Sequence, residues 1–273
     1  EFGLHSISDL PIYEPVKKTV NALSTKLWES GMGKVKAWLG KMRDDSMVMG
    51  RLALSQVQTR YEQFERIVSE TTGSGHSSSE MDSFEIYLLE HGADDLAAIT
   101  TNDLVKIDFG PLQDALRLAA LMDRTDDFEQ LFIETRRIQA DLLLQSSKVI
   151  FERPDTDPRS LRSFLSATAG FFLVERALIR MPSSFYPVVQ IERHWDAAIK
   201  KLDALALNSL KLSSSDRSAF MKLKWQFIFF AHLAGTLLML PSSALKDSIY
   251  TMFYRYIDLL RAEAEEAMLI AVK

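Results

Sequence analysis

Residues 35–68 read VKAWLGKMRDDSMVMGRLALSQVQTRYEQFERIV, and this stretch decides the fold. In it and in the segment before it, apolar side chains recur every three or four residues, the spacing of one helix face. These positions are Val16, Val20, Leu23, Leu27, Val35, Trp38, Leu39, Met42, Tyr61, Phe64 and Val68. No proline lies between Pro15 and Pro111 to end a helix. A helix from Gly33 to Val68 would be about 50 Å long, which predicts a rod, with Gly31 and Gly33 as the places where it breaks or bends.

Helical spacing continues to the end of the chain, and prolines mark where helices start and stop. We predict helices at 84–91, at 111–122 and from the N-cap Thr125 to about residue 145. A further helix is opened by Asp157 and Pro158 and stops before Pro182, and three more are predicted at 187–211, 216–240 and 243–272. No strand alternation and no repeat is found. The predicted fold is all-α, an elongated rod of consecutive antiparallel helical bundles.

The composition of the loops divides the chain into four predicted regions. Residues 1–70 are a long N-terminal helical segment and residues 71–83 a flexible loop rich in Ser and Gly. Residues 84–150 complete a first bundle with the long helix, and residues 151–273 form a second bundle, with the boundary at the polar stretch 148–157. The chain begins at Glu1 without a signal peptide and its last helix runs to Lys273 without a stop, so we expect a fragment truncated within the second bundle.

The composition excludes several classes of protein. With 273 residues of which 47% are hydrophobic, the chain is globular rather than disordered. The absence of cysteine excludes disulfides, thiolate metal sites and a cysteine nucleophile, and it fits a cytoplasmic protein. A net charge of −5 argues against nucleic-acid binding. The most apolar run, 225–240, is shorter than the roughly 20 residues of a membrane span, so it predicts a buried core helix, and any membrane contact would be peripheral.

The charge is distributed unevenly along the chain. Residues 16–66 hold ten Lys and Arg against five Asp and Glu, whereas residues 80–130 hold three against thirteen. Solvated helix faces are one interpretation of this asymmetry, and an interaction surface is the other. If the basic stretch 17–66 touches anionic lipid, its binding to liposomes will fall steeply with salt.

The acidic residues Asp123, Asp126, Asp127 and Glu129 are the one cluster that resembles a magnesium site, of the kind that all-α isoprenoid synthases use. A second metal-binding motif is missing. Asp126 and Asp127 also fall in the first turn after Thr125, where carboxylates favour the positive end of the helix dipole. The helix-dipole interpretation therefore accounts for the cluster, and the sequence predicts no metal site.

No other arrangement predicts an enzyme. The five histidines are not at ligand spacing from one another, and His232 lies in the most apolar helix, as a core histidine would. The glycines form no phosphate-binding loop, and no serine stands in a nucleophile elbow. We predict no catalytic residue and no cofactor. The many aromatic residues of the second half are predicted to be core.

Several short stretches, taken in order, resemble a known family. They are MGKVKAWL at 32–39, IDFGPL at 107–112, the positions Phe128, Phe132, Arg136, Arg137, Gln139, Ala140 and Leu142, GFFLVE at 170–175, and WDAA at 195–198. Their order and spacing resemble the N-terminal half of the exocyst component 6 family, the Rab-effector subunits of the exocyst, over about residues 30–260.

The resemblance implies a non-enzymatic tethering scaffold that supports docking of secretory vesicles at the plasma membrane. It implies cytoplasmic localisation at vesicles and sites of exocytosis, with other exocyst subunits and transport or polarity regulators as partners. Rab GTPase binding is expected in the C-terminal half of such proteins, which this chain lacks. An adaptor of another tethering or coat complex and an all-α magnesium-dependent enzyme are the alternatives.

The resemblance leaves two roles open for Arg136 and Arg137, which match the family motif. They either pair with the acidic helices nearby or belong to a surface that binds a partner. Together with the basic stretch, they define the possible partner surface, which consists of Lys34, Lys36, Lys41, Arg43, Arg136 and Arg137.

Overall fold

The computed structural model describes residues 12–72, 108–145, 149, 151, 157, 159–181, 185–213 and 217–271. These residues contain seven helices and no strand. The helices are α1 (Tyr13–Thr72), α2 (Gly110–Leu121), α3 (Thr125–Gln145), α4 (Leu161–Ile179), α5 (Val188–Ser213), α6 (Arg217–Thr236) and α7 (Ser243–Ala271). The predicted all-α class is confirmed. The predicted helix at 84–91 lies outside the described residues, as do most of the 71–83 loop and of the 148–157 boundary.

Helix α1 is continuous over 60 residues and passes through Gly31 and Gly33 without a break. The predicted break at these glycines is therefore wrong. A glycine inside a helix costs about 1 kcal/mol relative to alanine. That cost is small beside the burial of Met32, Val35 and Leu39, which lie between and shortly after the two glycines and are at most 7% exposed.

The chain forms two compact units. The first contains α1 up to Asp44, α2, and α3 up to Glu134; the second contains the remainder of α1 and α3 together with α4 to α7. The loops on which the four predicted regions rest lie largely outside the described residues. That division of the chain therefore stays a prediction.

In the first unit, the stretch 108–112 anchors the start of α2 to α1. The indole Nε1 of Trp38 donates a hydrogen bond to the backbone oxygen of Asp108 at 2.6 Å. The Trp38 ring lies 6.0 Å from that of Phe109. The Asp108 carboxylate accepts from the backbone N–H of Gly110 at 2.8 Å, and Pro111 occupies the first turn of the helix. The side chains of this stretch thus make a turn and a helix start.

The turn between α2 and α3 places the acidic cluster. Asp123 has a left-handed backbone with φ of 56°, and the N–H of Arg124 donates to the oxygen of Ala119 at 2.9 Å. Helix α3 begins at Thr125, so Thr125 is its first residue rather than the N-cap that the sequence predicted. Asp126 and Asp127 lie in the first turn, as expected for carboxylates at a helix N-terminus.

The second unit is built on α4 to α7. Helix α4 packs on α5 and α6, α5 packs on α6 and α7, and α6 packs on α7. Helix α4 begins later than the predicted Asp157–Pro158 start because Ser160 is its N-cap, accepting a hydrogen bond from the N–H of Ser163 at 3.2 Å. The Asp157 carboxylate instead accepts from the N–H of Arg159 at 2.8 Å, in the turn before the helix.

Helix α6 is part of the core, as predicted for the run at 225–240. Its buried side chains include Phe220, Phe227, Phe230 and Leu233, and His232 is 4% exposed, which confirms that it is a core histidine. Of the helices in the described part of the chain, none combines the length and the apolar character that crossing a membrane requires.

Most of the aromatic residues of the second half lie in the core of the second unit, as predicted. Trp195 packs edge-on against Phe172 with ring centroids 5.0 Å apart, and Phe220 stacks on Tyr256 at 3.7 Å. Trp225 and Phe229 are only partly buried and pack against Tyr61 of α1, at 4.3 and 5.4 Å between ring centroids.

Candidate functional site

The most deeply buried charged groups of the described chain form a cluster around Glu175 of α4. Nε of Arg136 on α3 donates to Oε1 of Glu175 at 2.8 Å, and Nη2 lies 2.7 Å from the same oxygen. On the other oxygen, Oε2, the hydroxyl of Tyr186 donates at 2.5 Å, and Nδ1 of His194 on α5 lies 3.4 Å away. We call Arg136, Glu175, Tyr186 and His194 the buried cluster.

All four side chains of the buried cluster are shielded from water. Arg136 is 3% exposed, Glu175 0%, Tyr186 2% and His194 4%. The guanidinium of Arg136 also lies over the ring of Phe171, 4.4 Å from its centroid, and donates to Oε1 of Gln139 at 2.7 Å. The cation is therefore held on several sides, which a buried charge requires.

The electrostatics of the buried cluster favour an ionised Glu175. Burial alone would raise the pKa of Glu175, but Arg136 and the hydrogen bonds from His194 and Tyr186 together outweigh burial and lower it. The pKa of Tyr186 is raised by burial and by the Glu175 carboxylate beside it, so the phenol keeps its proton. One carboxylate thus receives donors from α3, from the segment before α5, and from α5 itself.

Of the buried cluster, the sequence analysis singled out only Arg136. Arg136 was expected either to pair with the acidic helices nearby or to lie on a partner surface, and the structure places it in a buried ion pair with Glu175. One feature of the sequence could have indicated Glu175: it is the single carboxylate within the apolar stretch GFFLVERALI at 170–179. No feature of the sequence indicated Tyr186 or His194, because only the packing of α5 against α4 brings them to Glu175.

The remaining residues of the possible partner surface are exposed. Lys34, Lys36, Lys41 and Arg43 lie on the solvent side of α1 in the first unit. Arg43 pairs with Asp44 at 3.2 Å, with both side chains more than two thirds exposed. Arg137 is exposed on α3 beside the buried Arg136. The structure therefore brings the four α1 residues to one stretch of helix and turns Arg136 inward.

The acidic cluster at the start of α3 is engaged in local contacts. Asp127 pairs with Arg124 at 2.9 Å, and the Arg124 guanidinium also lies 4.1 Å from the ring centroid of Trp28. Within the described residues, no group of three or more His, Asp or Glu side chains is arranged to hold a metal ion.

The described residues thus form an all-α protein of helical-bundle type in which the principal buried polar cluster joins helices to one another. Comparison of the chain with characterised proteins finds similarity to exocyst components.

The chain is 23% identical over 232 residues to exocyst complex component sec15 of Schizosaccharomyces pombe, in an alignment that covers 85% of this chain. It is 22% identical over 193 residues to SEC15A of Arabidopsis thaliana, covering 71%, and 27% identical over 144 residues to exocyst complex component 6 of Mus musculus, covering 53%.

These relatives support the resemblance to exocyst components at the level of Sec15 and component 6 proteins together. The chain spans 29%, 23% and 17% of the lengths of the three relatives, so it corresponds to less than a third of each. No family model and no solved structure matches the chain.

Proposed function

We propose that this chain is part of a Sec15-like or component 6-like exocyst subunit and lies within the N-terminal half of such a protein. In this role it is a non-enzymatic helical scaffold that supports docking of secretory vesicles at the plasma membrane through protein–protein contacts. The observation that carries the proposal is the collinear similarity to exocyst components over 85% of the chain. The proposed location is the cytoplasm, peripherally on secretory vesicles and at sites of exocytosis.

The structure agrees with a scaffold in two respects. The deepest charged groups hold α3, α4 and α5 together, and their donors and acceptors are directed at one another. The exposed charges of α1 face solvent instead. A scaffold needs rigidly held helices and side chains that can contact partners. The buried cluster provides the first, and the exposed charges of α1 provide the second.

We propose that Lys34, Lys36, Lys41 and Arg43 on α1, with Arg137 on α3, contact other exocyst subunits or transport and polarity regulators. The three lysines are exposed and have no ion-pair partner in the described chain, so their charge is available to acidic groups of another protein. No Rab-contact residue is assigned within the chain.

The test is co-elution with recombinant exocyst subunits on a size-exclusion column. The triple variant Lys34→Glu/Lys36→Glu/Lys41→Glu should weaken the complex roughly tenfold or more, because three cations become anions. A matched control is Lys200→Glu/Lys222→Glu/Arg255→Glu, which reverses three exposed cations on α5, α6 and α7.

The outcomes separate the two parts of the proposal. If wild type and both variants bind alike, the exocyst assignment stands and the α1 surface is wrong. If folded wild-type protein binds no exocyst subunit, while crosslinking mass spectrometry in lysate recovers components of another complex, the exocyst role is wrong.

A further inference from the structure

A second surface, at the end of α4 in the second unit, has two adjacent cations that no anion of the described residues pairs with. Arg176 lies in the last turn of α4, and Arg180 is the C-cap residue one turn later. Neither side chain forms an ion pair with any of the residues that the structure describes. A helix C-terminus favours cations, which explains their position, but neither side chain donates to a carbonyl oxygen of the described residues there.

The guanidinium of Arg176 has one edge without an adequate acceptor. Its Nε is buried and makes no hydrogen bond. Its Nη2 lies 3.3 Å from the thioether sulfur of Met239, which is only a weak acceptor. Nε and Nη2 share one edge of the planar guanidinium, and a carboxylate can take both donors of such an edge at once.

Met239 covers this edge from an exposed position. Its side chain is 58% exposed although it is apolar, and its backbone is left-handed with φ of 50°. A left-handed backbone is strained for a residue other than glycine. The sulfur can therefore leave Arg176 without disturbing the core beneath it. The charge of Arg176 also has an unfavourable environment, since burial and the nearby Arg180 lower its pKa.

We propose that Arg176 and Arg180 form a docking site for an acidic segment of a partner protein, with a carboxylate of that segment replacing the Met239 sulfur at the Nε–Nη2 edge of Arg176. A second carboxylate one helical turn or two strand residues away would meet Arg180. A membrane surface fits less well, because recognition of anionic lipid uses clusters of about four to eight cations and this site has two, one of them partly buried. This site would bind carboxylates whether or not the chain works in an exocyst-like complex.

The experiment measures fluorescence anisotropy of a labelled ten-residue peptide of alternating Glu and Ser, with a Gln and Ser peptide as the neutral probe. Wild-type protein should bind the acidic peptide and not the neutral one, with an affinity that falls as salt rises. Arg176→Gln and Arg180→Gln should each weaken binding at least about fivefold, since each removes a charge-assisted contact. Met239→Ala should strengthen binding, because it removes the group that the carboxylate has to displace.

The control variant is Arg193→Gln, an exposed arginine of α5, which should bind like wild type. Circular dichroism and thermal melting check the fold of each variant, and the exposed Arg180→Gln keeps the test decisive if Arg176→Gln does not fold. The proposal is overturned if wild type does not bind the acidic peptide, or if Arg193→Gln and Arg180→Gln weaken binding equally. It is also overturned if vesicles with 30% phosphatidylserine bind through the two arginines while the peptide does not.

Discussion

Glu175 is the residue on which the polar contacts of the buried cluster converge. It is fully buried and ionised, and it neutralises Arg136, which is also buried. Replacing Glu175 with Gln leaves the guanidinium without its anion. Because an uncompensated buried charge is costly, we expect Glu175→Gln to lower the free energy of unfolding by about 3 kcal/mol, measured by urea denaturation at pH 7.

Two further variants test whether this loss comes from the ion pair. The double variant Arg136→Met/Glu175→Gln should be no less stable than Glu175→Gln alone, because the uncompensated cation is gone. Asp114→Asn, which breaks an exposed pair with Arg117, should leave the midpoint nearly unchanged. If Glu175→Gln and Asp114→Asn have equal effects, the buried cluster does not stabilise the fold.

At the scale of elements, α1 and α4 cross in the second unit at two glycines. A Cβ atom on Gly50 would overlap the backbone oxygen of Ser166, and one on Gly170 would overlap that of Ser46. The obstacles are backbone atoms, so neither can be avoided by rotating a side chain. The two helices can approach this closely only because both positions lack a side chain.

We therefore expect Gly50→Ala and Gly170→Ala each to destabilise the protein by about 1–3 kcal/mol or more, because the helices must separate to admit the methyl group. Thermal or urea denaturation followed by circular dichroism measures the effect. The double variant should cost less than the sum of the two, since one displacement relieves both overlaps.

Matched controls exist on the same helix. Gly33 and Gly40 are exposed helical positions of α1 where a Cβ would meet nothing within 4 Å. Gly33→Ala and Gly40→Ala should stabilise the protein by up to about 1 kcal/mol, because alanine is the better helix former. Equal destabilisation by all four substitutions would contradict the proposed close crossing.

At the scale of the whole molecule, buried ionisable groups set the dependence of stability on pH. Burial lowers the pKa of His232 to about 4 from an ordinary value of 6.5. The unfolded chain then binds this proton more tightly than the folded chain, so stability is fully present above pH 6.5 and is lost as the pH falls toward 4. The pKa of Glu175 is also lowered, so further stability is lost as the pH falls below about 4.5.

We expect the free energy of unfolding to fall by on the order of 3 kcal/mol between pH 6.5 and pH 4 through His232 alone. Urea denaturation at pH 7, 5.5 and 4 measures the slope, and His232→Gln, which cannot titrate, should flatten it over this window. A slope that is the same in His232→Gln and wild type would show that His232 is not the group responsible.

Much of the fold could be predicted from the sequence because helices depend on local patterns. The 3.6-residue spacing of apolar side chains and the positions of the prolines predicted the ends of α2 to α7 to within a few residues. The start of α4 is one of the ends that differ. The predicted break near Gly31 was wrong, since glycine propensity is a weak effect that the burial of Met32 and Val35 overrides. His232 could be placed in the core because its neighbours are apolar.

The sequence by itself determined that this chain is all-α, that its second half has an aromatic core, and that it resembles exocyst components, because these follow from spacing and order along the chain. Only the tertiary structure decided that Arg136 pairs with Glu175, 39 residues away, and that Tyr186 and His194 join them. It alone revealed the crossing of α1 and α4 at Gly50 and Gly170. The physical reason is that periodicity fixes which face of a helix is buried, whereas the partner of that face depends on long-range packing that no local pattern encodes.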